Sequence, residues 1–366
     1  MPTMAAGAKW KSPLHEMTQT TATCLWNDSA DLDELRWSIE QGGVGATCNP
    51  VIAHTVIKSR MAEWRPRIAA LVRERAEATE DAVAWAAVEA LSIEAASLLR
   101  PAFEAHRGRN GRLSIQTDPK LYRDAAAIVE QAIRFASLAP NMIVKIPATR
   151  AGLAAIETAT ARGISINATV SFTVPQAIAV AEAVERGLRK RVADGHDISQ
   201  MGPVCTIMLG RLDDWLKAAM EKSGVVTDPG RLEWAGIAVF KRAYSLFRER
   251  GYRVRLLAAA FRNHMHWSEL IGGDVVISPP CSWQKRFAAS DIAVRPRIDT
   301  PVDHGIVDDL LRRFPDFKRA YEPDGLTADQ FDEFPPTRRT LRQFLGACDD
   351  LRGLVRDVMI PNPDSQ

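Results

Sequence analysis

Eight short runs rich in β-branched and apolar residues recur along the chain, with longer amphipathic stretches between them. The runs are TATCLW (21–26), VGATC (44–48), RLSIQT (112–117), MIVKI (142–146), ISINATV (164–170), PVCTIML (203–209), VRLLAA (254–259) and DVVISP (274–279). Between them DLDELRWSIEQ, KLYRDAAAIVEQAIRFASL, RAGLAAIETATA, PQAIAVAEAVERGLRKR and RLEWAGIAVFKRAYSLFRERG place apolar residues three and four apart, the helical spacing. Strand and helix in strict alternation predict a parallel sheet connected by helices. Eight such units predict an α/β chain folded as a (β/α)8 TIM-type barrel, whose chemistry sits at the C-terminal ends of the strands.

Two stretches exceed what such a barrel needs. Residues 51–110 are long for one connection, and VIKSRMAEWRPRIAALVRERA and AVAWAAVEALSIEAASLL within them predict extra helices after strand 2. Beyond strand 8, Leu341, Phe344, Leu345, Cys348, Leu351, Leu354, Val355 and Val358 form an apolar stripe on a final helix, which must cover either the barrel or another subunit. The division that follows is an N-terminal extension over 1–20, a catalytic barrel over 21–285, and a helical C-terminal extension over 286–366 packing on the barrel.

Composition narrows the class. Of 366 residues 46% are hydrophobic and 25% charged, the balance of a soluble globular chain with a large core. A net charge of +2, with cations dispersed among acids in RERAEATED and RFPDFKRAYEPD, argues against nucleic acid as a partner. Five cysteines, at 24, 48, 205, 281 and 348, show neither CxxC nor a repeating spacing, so a disulfide framework or thiolate metal site is not expected. The N-terminus lacks a sustained apolar core, and no segment reads as a membrane span of ~18 apolar residues, so the expected location is cytoplasmic.

Strand MIVKI raises the chemical question, because Lys145 stands where an apolar residue is expected. A buried ammonium is costly unless paired or neutralised. Lys145 is therefore either a strand-end cation paired with a carboxylate or a neutral nucleophile of the Schiff-base kind. Other polar residues gather at the same strand ends: Asp28 after strand 1, Asn49 after strand 2, Gln116 at the end of strand 3, Asn167 and Thr169 on strand 5, Thr206 on strand 6 with Arg211 beyond it, and Arg262 after strand 7. Each has a plain structural use. Asp28 or Ser29 could cap the helix DLDELRWSIEQ, and Asn49 before Pro50 suits a helix start. Asn167 and Thr169 could face water on an edge strand, and Arg211 and Arg262 could be surface cations, although together they would make a fork for phosphate.

The stretches GATCNPVI, IVKIPATRAGLAAI, GISINATVSFTVPQAIAVAEA, MLGRLDDW and AAAFRNHMHW resemble the transaldolase family of class I aldolases, in order and spacing, over roughly residues 20–280. The resemblance implies a permuted (β/α)8 barrel and, given the extended ends, one of the longer subfamilies. It implies transfer of a dihydroxyacetone unit between phosphosugars, with Lys145 as the Schiff-base lysine and Asp28 moving the proton of the hydroxyl beside the cleaved bond. Asn49, Asn167 and Thr206 would hold the dihydroxyacetone fragment, Thr169 would orient the catalytic water, and Arg211 and Arg262 would bind phosphate. No metal or cofactor is implied; His264 and His266 in RNHMHW are accordingly expected to be helix or core residues. A homo-oligomer is compatible with all of this.

The chain departs from the family pattern at several positions, and Thr206, where a serine is usual, is a swap that keeps the hydroxyl. Gln116 stands where a glutamate usually shares the water with Thr169, and an amide can hold a water but cannot take its proton. Fructose 6-phosphate aldolases also carry glutamine there but add a tyrosine, whose place here falls on Met208; Ala260 replaces a serine near the phosphate. Glu94 is a helix residue and no substitute. A divergent aldolase releasing free ketone, a specialised-pathway sugar aldolase and a silent phosphosugar-binding barrel therefore stay open as alternatives.

Overall fold

The computed structural model describes residues 9–365; the first eight residues of the expected N-terminal extension lie outside them. The strands are β1 (Cys24–Asn27), β2 (Gly43–Cys48), β3 (Arg112–Gln116), β4 (Met142–Pro147), β5 (Ile166–Thr169), β6 (Val204–Met208), β7 (Arg255–Ala259) and β8 (Val276–Ser278). They pair in parallel and in sequence order, and β8 returns to β1 to close an eight-stranded barrel. All eight expected strands are present, their ends trimmed by up to three residues or extended by one.

Local chemistry explains where the helices start. Asp31 Oδ1 accepts from the backbone N–H groups of Asp33 and Glu34 and caps the helix Leu32–Glu40. Thr149 caps Arg150–Ala161 and Thr173 caps Val174–Ala193 in the same way. Gly152 is needed because a Cβ there would run into the Pro147 carbonyl, so the helix can start tightly against the end of β4. Two expected helices are shorter or broken. The run from Lys120 gives a 3-10 turn at Pro119–Leu121, and the helix begins only at Ala125, where Asp124 caps it. The run from Arg231 breaks at Glu233 and Trp234 into Pro229–Leu232 and Ala235–Arg250.

The insertion after β2 forms helices Pro50–Ser59, Met61–Glu74 and Glu80–Ala105. The last corrects the sequence reading of membrane spans: it is long and apolar enough to cross a bilayer by length and composition. Most of that apolar stretch is buried inside the protein, against β2, β3 and neighbouring helices. The final helix, Pro335–Met359, packs on the same insertion, and its Leu341, Phe344, Cys348, Leu351 and Val355 are buried there. The stripe thus covers the barrel's own helices.

Candidate active site

Trp26, Ile143, Val204, Leu257 and Val276 come from five different strands yet form one apolar cluster, which is possible only inside the barrel. Gly45 of β2 leaves the space the Trp26 ring occupies. Side chains alternate along a strand, so the residues two places on also point inward, one layer nearer the C-terminal ends. That layer is mostly polar: Asp28 follows Trp26, Lys145 follows Ile143, Thr206 follows Val204 and Ser278 follows Val276, while Ala259 follows Leu257 and stays apolar. Register adds Gln116 and Asn167, which flank Lys145 on β3 and β5. Period-two alternation turns a mostly apolar core into a polar floor within one residue pair.

Lys145 is 3% exposed. Among the described residues nothing hydrogen-bonds its amine, and burial lowers its pKa from the usual lysine value; Asp28 opposes that shift and Arg211 adds to it. The simple strand-end ion pair is therefore not formed. Asp28 is likewise free of the capping role open to it in the sequence, because Asp31 caps the helix; instead Thr47 Oγ1 donates to Asp28 Oδ1 at 2.7 Å. Asn49 does cap, accepting from Ile52 N at 3.0 Å through Oδ1, which leaves its amide N–H groups available to a ligand.

Asn167 and Thr169 are fully buried in a sheet with no edge. Asn167 Nδ2 donates to Ser114 Oγ at 3.0 Å, and Thr206 Oγ1 donates to Asn167 Oδ1 at 2.8 Å, so one amide is clamped from two strands. Gln116 Oε1 and Thr169 Oγ1 are both buried with no partner. These are two orphaned polar atoms, on the strands either side of Lys145, each able to hold a water. Met208 is buried and supplies no hydroxyl. Glu94 sits on the helix Glu80–Ala105 paired with Arg67, outside the barrel interior, as expected.

Arg211 and Arg262 line one cavity of about 360 Å³. Arg211 follows β6 in the first turn of the helix Leu209–Ser223. Its Nη1 donates to Gln343 Oε1 at 2.6 Å and to Thr340 Oγ1 at 3.4 Å, both on the final helix, while its Nε has no partner. Arg262 is not an open fork: Asp214 takes its Nε and Nη2, at 3.0 and 2.7 Å. The main chain of Arg262 is fixed by His266, whose Nδ1 accepts from Arg262 N at 3.2 Å and whose Nε2 meets Asp213 Oδ2 at 2.9 Å. His266 is fully buried, a core residue that positions the arginine loop, while His264 starts the short helix Met265–Ser268.

Backbone strain marks the same face. Val170 and Ala260, directly after β5 and β7, have φ of 53° and 64°, a region disfavoured for side chains and most of all for a β-branched one. Gln176 holds the first, donating from Nε2 to the Val170 carbonyl and accepting from Phe172 N through Oε1. The family described as transaldolase/fructose-6-phosphate aldolase matches residues 25–308, which include every strand end described above except the first residue of β1. The chain belongs to that family. Among curated proteins it is similar to the transaldolase of Thiobacillus denitrificans, 34% identical over 249 residues, covering 64% of this chain and 67% of that one. The transaldolase of Mycobacterium ulcerans is 31% identical over 62% of each chain. That of Mycolicibacterium paratuberculosis is 29% identical over 81% of this chain and 84% of its own. The matches to the first two thus span about two thirds of those relatives or slightly less.

Within this transaldolase-family barrel, reading polar residues only at strand ends passes over Thr47, Ser114, Gln176 and Gln343 of the final helix. Thr47 and Ser114 carried a signal, since each is a hydroxyl in phase with the inward set of its strand. Gln176 and Gln343 carried none that separates them from any other helical glutamine.

Proposed function

We propose that the protein is a transaldolase-type transferase of phosphosugars working through a Schiff base on Lys145. The observation that carries this reading is the isolated amine of Lys145, buried, without a hydrogen-bond partner and with its pKa lowered mainly by desolvation. A lowered pKa leaves more amine neutral near pH 7, the form that attacks a ketose C2 carbonyl. Loss of water from the carbinolamine gives an iminium. Asp28 takes the C4 hydroxyl proton, the C3–C4 bond electrons move into the iminium, and an aldose phosphate departs. The dihydroxyacetone unit stays on Lys145 as an enamine, held by Asn49, Asn167 and Thr206, until an acceptor aldehyde arrives and the steps reverse. A water between Gln116 and Thr169 would serve carbinolamine formation and hydrolysis, held by hydrogen bonds but not deprotonated by the amide.

Gln116 also supports a second reading, in which free ketone is released and the enzyme works as an aldolase. The two differ in their need for an acceptor. Borohydride trapping with fructose 6-phosphate, followed by peptide mass mapping, is expected to place a dihydroxyacetone-sized adduct on Lys145. No adduct, or one elsewhere, overturns the Schiff-base reading. Fructose 6-phosphate consumption that runs at full rate without an acceptor aldehyde would replace transfer by the aldolase reading.

A further inference from the structure

We propose that Arg339, on the final helix, is a third phosphate-binding residue of the substrate site. The inference rests on the phosphosugar reading and extends it to a segment beyond the matched family region, which ends at residue 308. Arg339 lines the same cavity as Arg211, Asp214 and Arg262, together with Thr340 and Gln343. Among the described residues it makes no ion pair, in contrast to Arg262, whose edge is occupied by Asp214.

Charge counting gives the physical reason. A phosphate monoester carries about −1.5 to −2 at neutral pH. Arg211 and Arg262 less the carboxylate of Asp214 leave a single net positive charge, too little to neutralise it. Arg339 raises the cavity to two. Burial weakens the hold of Arg211 on its proton; the charges of Arg262 and Arg339 act in the same direction, and Asp28 and Asp214 oppose them, so Arg211 senses both neighbouring guanidiniums. Arg211, which lines the same cavity, also keeps a buried Nε without a partner. A phosphate would bring the guanidiniums a shared counter-ion and would compete with Gln343 and Thr340 for Arg211. The final helix is anchored by its buried stripe on the insertion after β2, so it offers Arg339 from a fixed support.

The test compares kcat/KM for fructose 6-phosphate with kcat/KM for unphosphorylated fructose. In Arg339→Ala this ratio is expected to fall roughly tenfold, mostly through KM, with partial recovery in Arg339→Lys. Arg338→Ala, an exposed neighbour outside the cavity that faces Glu333, controls for charge on the helix and is expected to leave the ratio within twofold. A ratio unchanged in Arg339→Ala overturns the proposal. Calorimetric titration with inorganic phosphate reads the same contact without turnover. Affinity about tenfold weaker in Arg339→Ala supports the proposal, and equal affinity in the two proteins overturns it. A wild-type protein that binds phosphate through Arg339 but forms no Lys145 adduct would remove the Schiff-base reading and leave this one standing.

Discussion

Two lysines are buried among the described residues, and their surroundings are opposite. Lys241, 8% exposed, donates to Glu269 Oε2 at 2.9 Å and to the carbonyls of Arg297 and Thr300 at 2.9 and 2.8 Å, so all three of its protons are used. It ties the helix Ala235–Arg250 to the loop that follows the helix Cys281–Ala288. Lys145, 3% exposed, has no such partner and lies among groups that are themselves unsatisfied. Desolvation lowers the pKa of both, but Glu269 opposes it for Lys241 through a direct hydrogen bond, whereas Asp28 acts on Lys145 through charge alone. A saturated buried cation fastens structure; an unsaturated one is held ready for a ligand. That comparison can be attacked from both ends.

The largest effect is expected from Lys145→Met, which should lower turnover at least about a thousandfold and abolish the borohydride adduct. The same variant should be more thermally stable than the wild type at neutral pH. The sign follows from the lowered folded pKa: the unfolded chain holds the Lys145 proton more tightly, so wild-type stability rises with pH between the lowered value and about 10.4. Methionine does not titrate, and the gap between the two melting curves should narrow over that window. A destabilised Lys145→Met would mean the amine has structural partners after all.

Lys241→Ala should do the reverse, costing about 3 kcal/mol of stability in urea unfolding by stranding Glu269 and two carbonyls, with kcat changed less than twofold. Next in size, Asp28→Asn should slow turnover about a hundredfold. Because the Asp28 carboxylate raises the pKa of Lys145, its removal should also move the acid limb of the trapping rate to lower pH. A limb that stayed in place would separate the two residues. Gln116→Glu should move that limb to higher pH, since a carboxylate beside Lys145 in register favours the ammonium, and should raise turnover roughly tenfold above pH 8 by giving the water a base. Unchanged turnover there would detach Gln116 from the water step.

Much of the barrel was legible because it depends on short-range pattern. Alternating apolar runs, capping residues such as Thr149 and Thr173, and helical spacing act within a few residues of chain, and all eight strands appeared where the runs stood. Boundaries slipped where a cap or a break intervened, as at Asp124 and at Glu233, because periodicity alone does not mark the first helical residue. For the candidate site, the sequence placed Asp28, Gln116, Lys145, Asn167, Thr169 and Thr206 near one rim, but not what each side chain would touch. Asp28 and Asn49 looked equally like caps; Asp31 relieves the first of that duty, and nothing relieves the second.

By itself, then, the sequence determined a closed alternation of strands and helices and a cation on β4, since both are written in nearest-neighbour chemistry. Only the tertiary structure decided that the cation stays unpaired, that Asp214 occupies Arg262, and that the final helix carries Arg339 and Gln343 to the rim of Arg211. An apolar stripe states that a helix must be covered, not by what. The cavity depends on contacts between residues more than a hundred positions apart, which no local pattern encodes.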